Sequence, residues 1–260
     1  MPKTGGFEIY VDRLIMDKVP FVFVDSVIHH FSFKSYRNDA PKLNSSLWNK
    51  VALTHAAKRV YYSLEVGLND EEVTVDLRNF VTEDEISPKD ALSSVNSYSR
   101  LQLCRISVNS DQIPKISELE TYFFQTFLAR VPCDFLKLHP GEYICTSIPD
   151  FLTKIPAVDV QIEEDVAQDV IKYHLLENPR LKTFTVLYGR PEFVLNMMKT
   201  WDQGKLVDSE DTSGAVVKLT DFGFRRKCKY EGYKGWIKKI KKTRSGVERS
   251  LVLSSVTKYP

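Results

Sequence analysis

The stretch LKTFTVLYG at residues 181–189, followed directly by RPEFVLNMMKTWDQG at residues 190–204, decides the fold predicted for this chain. The first part is rich in residues that favour strands, and the second repeats its apolar side chains at the spacing of one helix face. Pro191 is expected at the first helical position, where no N–H is needed, and Gly204 just beyond the last turn, where a left-handed residue ends a helix. The segment therefore predicts a strand, a turn and an amphipathic helix.

The same unit recurs along the chain. Strand-like runs begin at residues 101, 133, 157, 181 and 215, so that successive starts are 32, 24, 24 and 34 residues apart. Each of the first four runs is followed by a helical pattern. Strands joined through helices in this way run parallel, and their crossovers are right-handed in nearly all structures. The sequence thus predicts an α/β fold with five parallel strands side by side and every helix on the same flank.

The repeat length overlaps the roughly 20–29 residues of leucine-rich repeats, although the fixed Asn or Cys and the strict leucine ladder are missing. We therefore predict an irregular leucine-rich-repeat-like β/α solenoid. The alternative is an ordinary three-layer α/β domain, but no glycine-rich loop of the nucleotide-binding kind joins any of these strands to its helix. Two β-hairpins are expected to flank the array, one at residues 59–77 and one about Arg244-Ser245-Gly246.

The amino-terminal part of the chain is different in character. Residues 1–58 are interpreted as an arm followed by two short helices, and residues 59–260 as the hairpin, the β/α array and a basic closing strand pair. Pro20 suits the entry of the first helix, and Ser45 or Ser46 can cap the second. Because two such short helices bury little surface by themselves, they need a partner within the chain or outside it.

These two helices carry a family resemblance. In an F-box, an opening Leu-Pro and a closing hydrophobic-x-x-Trp stand at the two ends of the short helices. Val19-Pro20 and Leu47-Trp48 resemble these two motifs here. The whole chain resembles the nematode F-box-associated families, and residues 192–201, with their late Trp, resemble a helix of the FTH-type region. The chain departs from the F-box pattern in having Val19 for Leu and FKSYRNDAPK in place of the usual Asp-Leu step.

The resemblance implies a protein-binding function without catalysis, as a substrate-recognition subunit of an SCF-type ubiquitin ligase. The F-box-like helices would then bind a Skp-type adaptor, with Trp48 as the expected anchor. In the alternative interpretation these side chains pack on the chain's own hairpin. The residues assigned to adaptor binding are Val19, Pro20, Val24, Val27, Ile28, Phe31, Leu47 and Trp48.

The strands suggest where a protein target would bind. Side chains alternate between the two faces of a strand, so the polar positions of each strand are expected on the face away from the core. The residues predicted to form this target-binding face are Arg105, Lys137, Asp159, Gln161, Thr185 and Lys218. A second hypothesis keeps this face in an interaction scaffold but treats the amino-terminal helices only as a cap on the array.

Charge is unevenly distributed. The formal net charge is only +2, but residues 225–249 contain eleven Lys and Arg against two Glu. Lysines on a terminal strand can simply protect a sheet edge from aggregation. A third hypothesis is that they bind a polyanion such as nucleic acid or a phosphoinositide. The candidate residues for that site are Lys238, Lys239, Lys241, Lys242 and Arg244.

Several classes of function find no support in the sequence. No Ser/Cys–His–Asp arrangement, paired-acid motif or metal-ligand spacing can be nominated, so we expect no enzyme, no metal and no cofactor. No apolar run approaches the ~18 residues of a membrane span. The charged residues among positions 1–18 do not fit a secretory signal, and the four cysteines form no CxxC pair. We therefore expect the protein in the cytoplasm or the nucleus.

Overall fold

The computed structural model describes residues 19–29, 45–69, 72–108, 114–139, 148–163, 167–204, 225–230, 233–244 and 247–258. The chain divides into two units, Met1–Val60 and Tyr61–Pro260. Phe31 and Lys218, and with them the fifth predicted strand from residue 215, lie outside the described residues.

The first unit contains two helices, α1 (Phe21–His29) and α2 (Ser46–Lys58). Their apolar side chains recur every three or four residues and therefore fall on one face of each helix. The unit has a small core in which four side chains are buried and three more are partly buried against them. The buried residues are Val24, Ile28, Val51 and Ala52, and the partly buried ones are Val19, Leu47 and Trp48.

A polar chain joins the two helices beside this core. His55 is fully buried, and its Nε2 lies 2.8 Å from a carboxylate oxygen of Asp25. Nη2 of Arg59 donates to the main-chain oxygen of Ile28 at 2.5 Å. The same nitrogen lies 3.4 Å from Nδ1 of His55. A guanidinium can only donate, so Nδ1 accepts and Nε2 carries the hydrogen that is donated to Asp25.

Replacing Asp25 by Ala is expected to destabilise the packing of α1 on α2 by about 1–2 kcal/mol, because the buried Nε2–H of His55 loses its acceptor. The Asp25 side chain is 37% exposed, so water can partly replace it and the cost stays in the lower range. Amide hydrogen exchange in α2 of the whole chain measures the effect. Ser26→Ala, at an exposed position of the same helix, is the control. Equal exchange in both variants would contradict the role given to this chain of bonds.

The second unit contains a mixed sheet and a series of helices. The strands are β1 (Tyr61–Leu68), β2 (Val73–Asn79), β3 (Arg100–Val108), β4 (Cys133–His139), β5 (Ala157–Glu163), β6 (Thr183–Gly189), β7 (Arg225–Tyr230), β8 (Tyr233–Arg244) and β9 (Val247–Lys258). The helices are α3 (Pro88–Ser94), α4 (Glu118–Arg130), α5 (Asp150–Thr153), α6 (Gln168–Lys172), continued by a π-helical turn (Tyr173–Glu177), and α7 (Pro191–Gln203).

The strand order across the sheet is β2-β1-β3-β4-β5-β6-β9-β8-β7. From β1 to β6 and on to β9 the neighbouring strands are parallel, whereas β2 and the β7–β8–β9 strands pair antiparallel. The predicted α/β class with a parallel strand array is therefore confirmed. The two predicted hairpins, β1–β2 and β8–β9, are also confirmed, and they flank the strands β3 to β6 within the same sheet.

The core lies between the sheet and helices on one of its faces. The ring of Tyr62 in β1 meets Phe127 of α4 edge to face at 5.4 Å, and the ring of Phe184 in β6 lies 6.1 Å from His174 in the π-helical turn. At the other end, Lys238 of β8 donates to the sulfur of Met198 in α7. The helices also contact one another in sequence, α3 on α4 and α4 on α5. Alternate residues of each strand, those that share the face of Tyr62 and Phe184, thus form the buried layer.

The segment that decided the prediction folds as expected. Pro191 is the first residue of α7, and Gly204 follows the helix in the left-handed conformation with φ of +67°. The buried face of the helix includes Val194, Met197 and Trp201. Between β2 and β3, Ser87 accepts a hydrogen bond from the main-chain N–H of Asp90 and caps α3.

Candidate interaction surfaces

The face of the sheet opposite the helices, here called the open face, carries the predicted target-binding residues. Register pairs Arg105 with Lys137, Lys137 with Gln161, and Gln161 with Thr185, so that four of these residues stand in one row across four strands. Neighbouring strands are about 4.8 Å apart, which gives the row a length of roughly 15 Å. Asp159 lies on the same face, two residues before Gln161 on β5. Five of the six predicted residues are thus brought together, and Lys218 is not described.

Ion pairs hold the side chains of the open face in place. Arg105 lies 2.8 Å from Glu65 of β1, and Lys137 lies 2.7 Å from Glu163 of β5. His139 lies 2.8 Å from the other oxygen of Glu163, and Gln161 donates to the first at 3.1 Å. Partial burial acts to raise the pKa of Glu163. The hydrogen bond and charge of Lys137, together with the charge of His139, lower this pKa by a larger amount, so that it lies below 4.5. Glu163 is therefore ionised at neutral pH.

At one end of the open face there is a shallow depression of about 430 Å³. Leu103 and the 38%-exposed ring of Phe80 give it apolar surface. Glu65, Asp76 and Arg78 line it as well, and Nε of Arg78 donates to both oxygens of Asp76. The open face thus combines paired charges with a small amount of apolar surface.

The helical unit has a second candidate surface on its exterior. Phe21, Val22 and Phe23 at the start of α1 are 53%, 77% and 55% exposed, and Leu53 of α2 is 69% exposed. Large apolar side chains exposed on consecutive positions mark a binding surface more often than isolated ones do. The signal in the sequence was the unbroken run FVFV: Val22 and Phe23 lie off the helix face of Val24 and Ile28, and Phe21 is exposed in the first turn.

The residues predicted to bind an adaptor divide into three groups. Val24 and Ile28 are fully buried in the core of the helical unit and are not available as contact residues. Val19, Val27, Leu47 and Trp48 are partly buried, Pro20 is exposed, and Phe31 lies outside the described part of the chain. Val19, Leu47 and Trp48 pack against the core that α1 and α2 build between them. Trp48 therefore contributes to the core as well as to any outer surface.

The lysines of β8 do not form one patch. Lys238 and Lys242 point toward α7: Lys238 contacts Met198, and Lys242 donates to the main-chain oxygens of Trp201 and Asp202 at 3.2 and 3.0 Å. Lys239 and Lys241 alternate with them and are exposed on the opposite face, where Lys241 pairs with Glu248 at 2.7 Å. Because successive side chains of a strand point to opposite faces of the sheet, the lysines predicted to bind a polyanion are divided between two faces.

Three further findings bear on function. No family model matches the chain, and no curated protein and no solved structure matches it either. Within the described ranges, no group of three His, Cys, Asp or Glu side chains is placed to hold a metal ion. In the same ranges, each helix is too short or too polar to cross a membrane.

Proposed function

We propose that this chain is a protein–protein interaction subunit of an SCF-type ubiquitin ligase, in which the helical unit binds a Skp-type adaptor and the open face binds the protein to be modified. The observation that carries the proposal is the division of the chain into a small helical unit with exposed aromatic side chains and a large sheet with a polar face opposite its helices. Such a two-part arrangement suits a subunit that connects two other proteins.

The helical unit supports the adaptor half of this proposal. Its apolar residues fall into two sets, because Val24, Ile28, Val51 and Ala52 fill the core while the set led by Phe21 and Phe23 remains outside. An F-box-like pair of helices needs both sets, one to hold its own shape and one to bind. We therefore assign the adaptor contact to Phe21, Val22, Phe23 and Leu53, with Pro20 and the exposed part of Trp48 beside them.

The sheet supports the target half. The parallel strands β1, β3, β4, β5 and β6 follow one another across the sheet in chain order, and the helices between them contact the other face. This arrangement favours the leucine-rich-repeat-like interpretation, in which the row from Arg105 to Thr185 is the recognition surface. The ion pairs Arg105–Glu65 and Lys137–Glu163 pre-organise that row, which lowers the entropy lost on binding.

The adaptor contact is tested by titrating a purified Skp-type adaptor into the whole chain and into the double variant Phe21→Ala/Phe23→Ala. Aromatic residues at the centre of an interface typically contribute about 2 kcal/mol or more, so we expect the double variant to bind at least about 30-fold more weakly. Isothermal titration calorimetry measures the affinity, and circular dichroism checks that the helices are retained.

The control is Leu119→Ala/Tyr122→Ala, which removes apolar side chains of similar exposure from α4 of the other unit, where they are 78% and 61% exposed. It should bind the adaptor as the unchanged chain does. If the unchanged chain does not bind the adaptor at all, the ligase connection is wrong and the scaffold hypothesis remains. If it binds but both double variants weaken equally, the adaptor contact is placed on the wrong residues.

A further inference from the structure

The outer edge of β2 is free along part of its length. β2 lies at one end of the strand order, and the main-chain oxygen of Leu77 points away from β1, because it accepts a hydrogen bond from the N–H of Ile86 at 2.8 Å. Every second residue of an antiparallel strand points its N–H and C=O to the same side, so those of Val73 and Val75 also point away from β1. None of the described residues hydrogen-bonds to these four groups. The edge therefore offers two unpaired donors and two unpaired acceptors.

The chain itself pairs with the other end of this edge. Residues 84–86 run antiparallel beside the end of β2, with Glu85 opposite Arg78. The segment then leaves the sheet, because Pro88 begins α3. A further strand laid in the same direction would continue this pairing along the free part of β2.

β2 lacks the features that usually protect a sheet edge from pairing. Natural edge strands carry lysines, a proline or a bulge for this purpose. β2 has the sequence VTVDLRN, with neither Lys nor Pro, and its register with β1 is continuous. The strand at the other end of the sheet, β7, has the sequence RRKCKY with four basic residues. Pairing with a further strand is thus not discouraged at β2.

The charged groups beside this edge are mostly acidic. Residues 72–86 contain five Asp and Glu against one Arg. The pKa of Arg78 is raised, chiefly by its hydrogen bond to Asp76 and also by the charges of Asp76, Glu85 and Glu65, so these three carboxylates lie around one guanidinium. The side chain of Asp76 is still 40% exposed, and it shares the open face and the wall of the depression with Glu65. An incoming strand is therefore favoured when its side chains on the open face are Lys or Arg.

We propose that the edge of β2 binds a short extended segment of a partner protein in which basic and apolar residues alternate. Residues opposite Val73 and Val75 would turn their N–H groups toward β2 and their side chains away from the open face, so these are the apolar ones. The basic side chains would lie beside Asp76 on the open face. This contact adds to the target-binding half of the proposed function and does not depend on the adaptor contact.

The test titrates the peptide acetyl-KVKVK-amide into the whole chain, with the Kd measured by NMR. We expect a Kd of about 1 mM or tighter, and binding at least about tenfold weaker for acetyl-EVEVE-amide, which has the opposite charge. N-methylation of the two valines removes the N–H groups that donate to β2, so it should weaken binding at least about tenfold. N-methylation of the lysines, whose N–H groups point away from β2, should change the Kd by less than about threefold.

Variants of the chain locate the contact, with circular dichroism as the check of folding. Val75→Pro removes an outward N–H but no hydrogen bond to β1, and it should weaken the peptide at least about tenfold, whereas Val75→Ala keeps that N–H and is the control. Asp76→Asn should weaken the peptide about threefold or more, and Glu118→Gln, at an exposed position of α4, should not. The Phe21→Ala/Phe23→Ala variant should bind the peptide as the unchanged chain does, so failure of the adaptor contact and failure of this contact can be told apart.

Light scattering of the free chain completes the test, and we expect a monomer. A dimer that the peptide dissociates would show that the edge joins two copies of the chain, and would overturn the assignment to a partner protein. The proposal is also wrong if KVKVK and EVEVE bind equally, if N-methylation of the lysines weakens binding more than that of the valines, or if a folded Val75→Pro chain keeps full affinity.

Discussion

Lowering the pH from 6.5 to 4 is expected to cost the sheet unit about 3 kcal/mol of stability through one residue, His174. Burial lowers the pKa of this imidazole from 6.5 to about 4, although its hydrogen bond to the carbonyl of Thr153 acts in the opposite direction. In the unfolded chain His174 takes up a proton near pH 6.5, but in the folded chain it does so only near pH 4. Between these values the unfolded state binds more protons, so stability is full above pH 6.5 and falls as the pH decreases.

The contacts of His174 explain why it stays neutral. Its Nε2–H donates to the main-chain oxygen of Thr153 at 2.7 Å, and its Nδ1 lies 3.5 Å from the amide nitrogen of Asn178, which also donates to the oxygen of Ala157 at 2.9 Å. Both ring nitrogens are thus engaged by the neutral form, and there is no acidic partner in these bonds. His174 is therefore a neutral histidine of the core, held by hydrogen bonds to Thr153 and Asn178.

Urea unfolding of the whole chain followed by circular dichroism at pH 7, 6, 5 and 4.5 measures this dependence. Glu163 and Asp169, whose pKa values are lowered, contribute in the same direction but only below about their ordinary values of 4.5 and 3.8. Above pH 4.5 these two carboxylates contribute little, so the dependence assigned to His174 is best measured there. In His174→Gln, which can still donate to Thr153 but does not titrate, the slope should be much smaller. An unchanged slope in that variant would refute the assignment.

Phe127→Ala is expected to destabilise the sheet unit by about 3–5 kcal/mol, the usual cost of removing a buried phenyl ring and leaving a cavity. Phe127 is fully buried, and its ring contacts Tyr62 of β1 edge to face at 5.4 Å and stacks on Phe123 at 5.3 Å. Because it joins α4 to the sheet, its loss removes an interaction between the two layers as well as apolar burial.

The measurement is the urea midpoint of the whole chain, with Leu119→Ala as the matched control. Leu119 is on the same helix but 78% exposed, so its replacement should change stability by no more than about 0.5 kcal/mol. Phe127→Leu fills more of the cavity and should recover part of the loss. If Phe127→Ala costs no more than Leu119→Ala, the packing described between α4 and β1 is not what stabilises the unit.

The local elements of this protein could be predicted from its sequence because each depends on nearby residues. Pro191 and Gly204 delimit α7 through backbone geometry that needs no tertiary contact. The alternation in the strands predicted that Arg105, Lys137, Gln161 and Thr185 share a face, and register then places them in one row. The residues of the candidate target-binding surface could therefore be chosen from the alternation of polar and apolar positions alone.

Other features depend on contacts between distant residues. In the helical unit, the 3.6-residue period showed which residues could face a partner. It did not show that α1 and α2 pack on each other. Val24 and Ile28 were therefore predicted to bind an adaptor, although they are buried between the two helices. For the same reason Phe21 and Phe23 were not predicted as adaptor contacts. Their exposure in the structure makes them candidates, because the core of the helical unit forms without them.

The sequence by itself determined most of the helices and strands, the parallel series β3 to β6 and the faces of their side chains, because these follow from local periodicity and turn chemistry. Only the tertiary structure decided that β9 lies beside β6, that β1 extends the sheet, and that β2 is left at one edge of it. Strand pairing joins residues far apart in the chain, such as Thr185 and Val252. No short-range pattern records which of several compatible edges a strand will join, since hydrogen bonds of the main chain are the same at each of them.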